Sequence, residues 1–118
     1  MTEQITQHIG VVGLGNAGAA IASAFAARGP VAGFDKDAGR RQAAAAAGIG
    51  VFDQLEDLAA AVDVVVLSLP HPEISVAVTT TLMACDKRPA LIIDTSTVTP
   101  QTAIDCAAVA AAGNSAFV

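Results

Sequence analysis

"HIGVVGLGNAGAA", residues 8–20, passes from a β-branched apolar run, Ile9 to Val12, straight into glycines spaced G-x-G-x-x-G and then into alanines. The run reads as a strand and the alanines as the start of a helix, so the glycines fill the turn between them. Each glycine then has its own task. Gly13 permits the tight strand-to-helix turn, Gly15 removes a Cβ that would block a pyrophosphate, and Gly18 lets the helix pack against the sheet. The helix N-terminus beyond them presents free N–H groups and a partial positive charge. A glycine triplet alone is weak evidence, but this placement marks Gly13, Leu14, Gly15, Asn16, Ala17 and Gly18 as the phosphate-binding turn of a dinucleotide site.

The fingerprint has a second half. In Val31-Ala32-Gly33-Phe34-Asp35, the next apolar run ends in an acid about twenty residues after the turn. A carboxylate there accepts hydrogen bonds from the adenosine ribose hydroxyls and repels a 2′-phosphate, which favours NAD over NADP. Two alternatives stay open. Asp35 is also placed to be a loop residue or to cap the following helix, and Lys36, Arg40 or Arg41 could pair with a 2′-phosphate if Asp35 turned away, so NADP is not excluded.

Outward from this unit, short apolar runs alternate with longer alanine-rich stretches, the order of a βαβ chain. Strands are expected at His8–Val12, Pro30–Phe34, Ile49–Phe52, Val62–Leu67, Ala90–Asp94 and Ser115–Val118. Most are apolar on consecutive residues, as in strands covered on both faces. Helices are expected at Ala17–Arg28, at about Asp37–Ala47 with Gly48 as a left-handed stop, after Asp53 as N-cap of a capping box with Glu56, from Pro72, and from Pro100 with Thr99 as cap and Gly113 as stop. Six strands with five intervening helices predict an α/β fold, a doubly wound parallel sheet of the Rossmann type. At 118 residues the chain is a single domain, residues 1–118.

Composition limits the partners. A net charge of −5, with no basic cluster beyond Arg40-Arg41 and Lys87-Arg88, argues against nucleic acid and anionic membranes. The polar start MTEQITQH lacks the features of a secretory signal, and Asp63 interrupts the most apolar stretch, so a cytoplasmic protein without a membrane span is expected. Cys85 and Cys106 lack metal-site or disulfide spacing and read as small buried hydrophobes in helices.

Ligands of open parallel sheets lie beyond the carboxyl ends of the strands. Two further tips therefore matter. Leu67-Ser68-Leu69-Pro70-His71-Pro72 carries two prolines that hold the loop extended beside the dinucleotide. His71 reads as an exposed loop residue rather than an acid or base. Asp94-Thr95-Ser96-Thr97-Val98-Thr99-Pro100 crowds hydroxyls and a carboxylate at the end of a buried strand; Thr99 caps a helix, leaving Asp94 to Thr97 as a polar tip facing the cofactor.

Taken together, the turn Gly13–Gly18, the segment Asp63–Pro70 (D-V-V-x-x-x-L-P) and the loop Asp94–Pro100 (D-x-S-T-x-x-P) resemble the β-hydroxyacid dehydrogenases, which include 3-hydroxyisobutyrate, tartronate-semialdehyde and 6-phosphogluconate enzymes. Ala17 stands where the family usually has Met. The resemblance implies an oxidoreductase domain in which Ser96 and Thr97 contact substrate, Thr97 lies near the nicotinamide, and Leu69 and Pro70 lie beside the cofactor. It implies reversible hydride transfer with a small hydroxyacid in a homo-oligomeric full-length protein. Family members place the acid/base lysine in a helical domain that follows. Lys36 and Lys87 are the only lysines here and occupy other positions, so the chain is expected to bind cofactor without turnover. A stand-alone NAD-binding regulatory module and an imine reductase domain are the alternatives; the intact D-x-S-T-x-x-P loop counts against the latter.

Overall fold

Strand β1 (Ile9–Val12) leads into helix α1 (Asn16–Ala26), and the alternation continues through β2 (Val31–Phe34), α2 (Ala38–Ala46), β3 (Gly50–Val51) and α3 (Leu55–Ala61). The second half runs β4 (Val64–Leu67), α4 (Pro72–Met83), β5 (Leu91–Asp94), α5 (Pro100–Ala112) and β6 (Ala116–Phe117). This is a computed structural model and describes residues 8–118; the first seven residues of the expected polar start, MTEQITQ, lie outside the described residues. All five strand pairings are parallel, and the order is β3-β2-β1-β4-β5-β6. The chain is thus a doubly wound α/β sheet of the Rossmann type, as the alternation predicted. Its order reverses between β1 and β4, where such sheets open a crevice for a ligand.

Strand alternation sorts the apolar side chains into two cores. Val11, Val31 and Val66 pack with Leu14, Ala22 of α1 and Ala44 of α2 on one face. Val12, Val65, Leu67 and Ile92 pack on the other with Leu58 of α3, Leu82 and Met83 of α4, and Val109 of α5. Burying a Leu or Val side chain contributes about 1.5–3 kcal/mol. The two-sided burial of β1 and β4 explains why their sequences are continuous hydrocarbon. By contrast, β3 and β6 are two-residue edge strands, exposed or half-buried, and are not the interior kind that their apolar runs suggested.

Register aligns the strand tips. Val12 pairs with Phe34 and Leu67, and Leu67 with Asp94, so the next residues, Gly13, Asp35, Ser68 and Thr95, form one row at the carboxyl edge. At the opposite edge, Asp63 accepts a hydrogen bond from the His8 N–H at 3.1 Å and lies 3.5 Å from Lys87 Nζ. The His8 N–H, followed by the Lys87 charge, holds the Asp63 carboxyl below its ordinary range against an opposing desolvation effect. Lys87 is therefore remote from the row of tips.

Several expected element ends differ. Helix α1 begins at Asn16, inside the glycine turn, and stops at Ala26 rather than Arg28, because the N–H groups of both Arg28 and Gly29 turn back to the Phe25 carbonyl. Asp53 is not a cap. Phe52 is still held to the sheet by its bond to the Gly33 carbonyl, which leaves Gln54 as N-cap of α3 and places Asp53 3.6 Å from Arg41 Nε. Val62 closes α3, so β4 starts two residues later than expected. Cys106 is a buried residue of α5 as expected, but Cys85 lies beyond the end of α4 and is half-buried.

The other caps follow the sequence. Asp37 accepts from the Arg40 N–H at the start of α2, Gly48 has φ of 92° at its end, and Thr99 accepts from the Thr102 N–H at the start of α5. Gly113 closes α5 as its C-cap, followed by the left-handed Asn114 with φ of 63°, and it also serves closeness: a Cβ on it would run into Met83 Sδ.

Candidate functional site

A cleft of about 350 Å³ opens at the β1/β4 switch, between the glycine turn, the tip of β2 and the tip of β4. Its floor is set by the glycines, each for a separate reason. Gly13 has φ of 97°, which disfavours any side chain, and a Cβ there would strike the Ser68 carbonyl. A Cβ on Gly18 would strike the Gly13 carbonyl. Gly15 differs. Its φ is −69°, and the nearest atoms to a Cβ there belong to the Arg40 guanidinium, 3.7 Å away, so a side chain at 15 would project into the cleft rather than into protein.

Gly15 is also the N-cap of α1, and with no side chain it leaves the first-turn N–H groups of Asn16, Ala17 and Gly18 without a side-chain cap. Those donors and the positive end of the helix dipole face the cleft, an arrangement suited to the phosphates of a dinucleotide. Leu14 points away from it: the side chain is buried in the α1/α2 core, and the residue contributes its N–H to the turn.

Asp35 is buried at the cleft's edge, 6% exposed. One carboxylate oxygen accepts from Leu14 N and the other from Asp37 N, both at 2.8 Å, so the side chain staples the glycine turn to the start of α2. It does not turn away. Both oxygens keep lone pairs for further donors. Of the three cations that sequence reasoning left as partners for a 2′-phosphate, Arg41 is committed elsewhere, donating from Nη1 to the carbonyls of Asp35 and Lys36 at 2.8 and 3.0 Å. Lys36 and Arg40 line the cleft, and Arg40 Nη1 lies 3.7 Å from Asp35 Oδ2.

The opposite wall is apolar and comes from the tip of β4 and from α4: Ser68, Leu69 and Pro70, then Ile74 and Val78. Sequence reasoning found Leu69 and Pro70 but missed Ile74 and Val78. Their spacing of four residues, on a helix starting at Pro72 beside those tips, was the available signal. His71 is exposed at the N-cap of α4 and lies outside the cleft lining.

The D-x-S-T loop adjoins this wall without lining the cleft itself. Ser96 Oγ accepts from the Leu69 N–H at 2.7 Å, and Thr95 Oγ1 donates to the Leu67 carbonyl at 2.8 Å, so two of its hydroxyls pin the loop to the β4 tip. Thr97 is exposed. Asp94, expected on the polar tip facing the cofactor, is turned inward: Oδ1 accepts from the Ser96 N–H and Oδ2 is buried. No group of three or more potential metal ligands occurs among the described residues, and no helix among them is long and apolar enough to cross a membrane.

Known proteins share this fold. Residues 8–118 match the profile of the NAD binding domain of 6-phosphogluconate dehydrogenase. Among solved structures, the chain is similar to 3-hydroxyisobutyrate dehydrogenase of Mycobacterium tuberculosis, determined with L-serine: 34% identity and a TM-score of 0.87, covering 96% of this chain and 39% of that one. The imine reductase of Streptomyces aurantiacus follows the chain with 27% identity and a TM-score of 0.81, over 94% of this chain and 39% of its own. The Myxococcus stipitatus imine reductase shares the fold at 18% identity, TM-score 0.78 and coverage of 93% and 39% in a complex with NADP+. Its V8 variant, in a complex with NAD+, gives 18%, 0.80, 96% and 40%. No curated protein matches the chain in sequence. The chain spans about two fifths of the length of these solved relatives. A glycine turn at the sheet's switch point, an anchored Asp35 and a profile match over residues 8–118 agree: the chain belongs to the family of the NAD binding domain of 6-phosphogluconate dehydrogenase.

Proposed function

We propose that this domain, residues 1–118, is the nucleotide-binding part of an oxidoreductase that passes a hydride between NAD and a small β-hydroxyacid of the 3-hydroxyisobutyrate kind. One observation carries the cofactor half of the reading. Gly15 is the one glycine of the turn that the protein's own packing does not require, so the space its Cβ would fill is reserved for a ligand over the α1 N-terminus. The turn Gly13–Gly18 holds the pyrophosphate, Asp35 takes the adenosine ribose, and Leu69 and Pro70 flank the nicotinamide half.

The substrate half rests on the D-x-S-T loop. Its attachment to Leu69 supports assigning Ser96 and Thr97 to the nicotinamide end, with Thr97, exposed, meeting substrate and cofactor while Ser96 fixes the loop. When bound, the cofactor accepts a hydride from the hydroxyl-bearing carbon as the hydroxyl proton leaves to a base and a carbonyl forms. Neither lysine of this chain is placed to be that base. Lys36 lines the cleft and Lys87 lies at the far edge of the sheet, which supports the reading implied by the family resemblance, that an acid/base lysine is supplied from outside these residues. In this reading the domain alone binds cofactor without turnover.

The likeness to imine reductases supports a second reading, in which the same cofactor end serves reduction of a C=N bond. Joining this domain to the helical domain of a hydroxyacid dehydrogenase relative separates the two readings. NAD-dependent oxidation of 3-hydroxyisobutyrate or a close analogue, lost on Thr97→Val together with Ser96→Ala, is the expected result. Reduction of a cyclic imine with no hydroxyacid oxidation would overturn the hydroxyacid assignment.

A further inference from the structure

Asp94 ends β5 on the same face as Ile92, two residues before it, and therefore points toward α4 and α5 rather than toward α1. Its Oδ1 accepts from the Ser96 N–H at 2.8 Å. Its Oδ2 is fully buried with no hydrogen-bond partner among the described residues. The hydroxyls of Ser75 and Thr79, one turn apart on α4, are in the same condition, and both residues are 0% exposed. Their neighbours Thr80 and Thr81 donate back to the carbonyls of Val76 and Ala77, so the free hydroxyls at 75 and 79 are a property of the face they occupy.

That face meets α5 at Cys106. Burial raises the Cys106 thiol above its ordinary range, the Thr79 hydroxyl beside it opposes the rise, and the Asp94 and Asp105 carboxylates add to it. Because α4 runs antiparallel to β5, Ser75 lies nearer than Thr79 to the strand end that carries Asp94. Asp94 Oδ2, Ser75 Oγ and Thr79 Oγ1 are thus three buried polar atoms without partners on elements that share one core, and three is about the number of hydrogen bonds a buried water makes.

We propose that Asp94 is a positioning residue for the Thr95–Thr97 loop, anchored from below by Ser75 and Thr79 through one ordered water in the α4/α5 seam. The inference deepens the proposed function and rests on it for the identity of the nicotinamide end. Asp94 sets the Ser96 N–H, Ser96 Oγ sets the Leu69 N–H, and Leu69 borders the cleft. Helix α4 also carries Ile74 and Val78 on the cleft wall, so one helix supports both the cofactor wall and the loop's anchor.

The test compares Asp94→Ala, Asp94→Asn and the double variant Ser75→Ala/Thr79→Val by amide hydrogen exchange in the ligand-free chain and by titration with NADH and with ADP-ribose. Asp94→Ala should speed exchange at Ser96 and Leu69 at least tenfold while β1 keeps its protection. It should weaken NADH at least fivefold and leave ADP-ribose within twofold. Asp94→Asn, which keeps an acceptor for Ser96, should restore most of both. The double variant should show the same pattern at smaller amplitude, and a high-resolution crystal structure of the parent should show the water touching Asp94 Oδ2. Unchanged exchange at Ser96 and Leu69 in a folded Asp94→Ala chain overturns the positioning role. So does equal weakening of NADH and ADP-ribose. If exchange responds but the parent binds neither ligand, the functional reading fails and the coupling to a cofactor falls with it.

Discussion

Gly15→Ala should leave the domain folded, with stability within about 1 kcal/mol of the parent, and weaken NADH at least tenfold, which is about 1.4 kcal/mol of binding. Two small effects on stability oppose each other. Alanine is a poorer N-cap than glycine, at a cost of about 0.5–1 kcal/mol, whereas losing glycine's unfolded-state freedom at an ordinary φ of −69° returns about 0.4–1 kcal/mol. The new methyl meets only the Arg40 guanidinium, at an ordinary contact distance of 3.7 Å, so nothing in the fold is displaced. Gly18→Ala should instead destabilise the fold itself. Its methyl meets the Gly13 carbonyl, a backbone atom fixed by the turn, and overpacking of that kind costs about 1–3 kcal/mol. For a domain of this size each kcal/mol lowers Tm by about 4 °C. Thermal melts beside NADH titrations read both effects. A Gly15→Ala chain that binds NADH like the parent would contradict the assignment of the cleft to the pyrophosphate.

Asp35→Ala should be destabilising as well as damaging to binding. The Leu14 N–H is buried and would lose its acceptor, at a cost of about 1–3 kcal/mol, and Asp37 N–H and Arg40 would lose a charged partner. The expected total is about 3 kcal/mol, read from urea denaturation. Asp35→Asn should fall between parent and Ala, because one carboxamide oxygen can serve only one of the two N–H groups and the amide NH2 then faces the other donor. In both variants the preference for NADH over NADPH should shrink, since removing the negative charge leaves Lys36 and Arg40 as the charges beside the ribose. An Asp35→Ala chain as stable as the parent would mean that the carboxylate does not staple the turn.

The order of the fold was legible because parallel strands covered on both faces must be continuous hydrocarbon, as Val64-Val65-Val66-Leu67 is, and because the glycines fix where the first strand stops. Element ends were less legible, and Asp53 shows why. A capping box is a local pattern, and here the Phe52 N–H bond to Gly33 across the sheet holds the chain extended one residue longer than the pattern implies. Long-range bonds of that kind leave no local trace. The same holds for Asp35, whose position was readable but whose bond to Leu14 depends on two strand tips meeting in register. Asp94 was misread for a related reason. The period-two alternation of Ile92, Ile93 and Asp94 assigns its side chain to the α4/α5 face, but the polar residues around it drew the reading toward the cleft. Ile74 and Val78 were hidden by their ordinariness, since an apolar pair four apart on a helix usually signals core.

Calorimetric titration of this chain with NADH, and in parallel with NADPH, tests the central claim most directly. Saturable one-to-one NADH binding, with NADPH at least tenfold weaker, is the predicted result, because Asp35 is held in place and a carboxylate there would repel a 2′-phosphate. Absence of binding by either nucleotide would contradict the claim that this cleft is a complete dinucleotide site. Tighter binding of NADPH than NADH would contradict the part assigned to Asp35 and transfer it to Arg40 and Lys36.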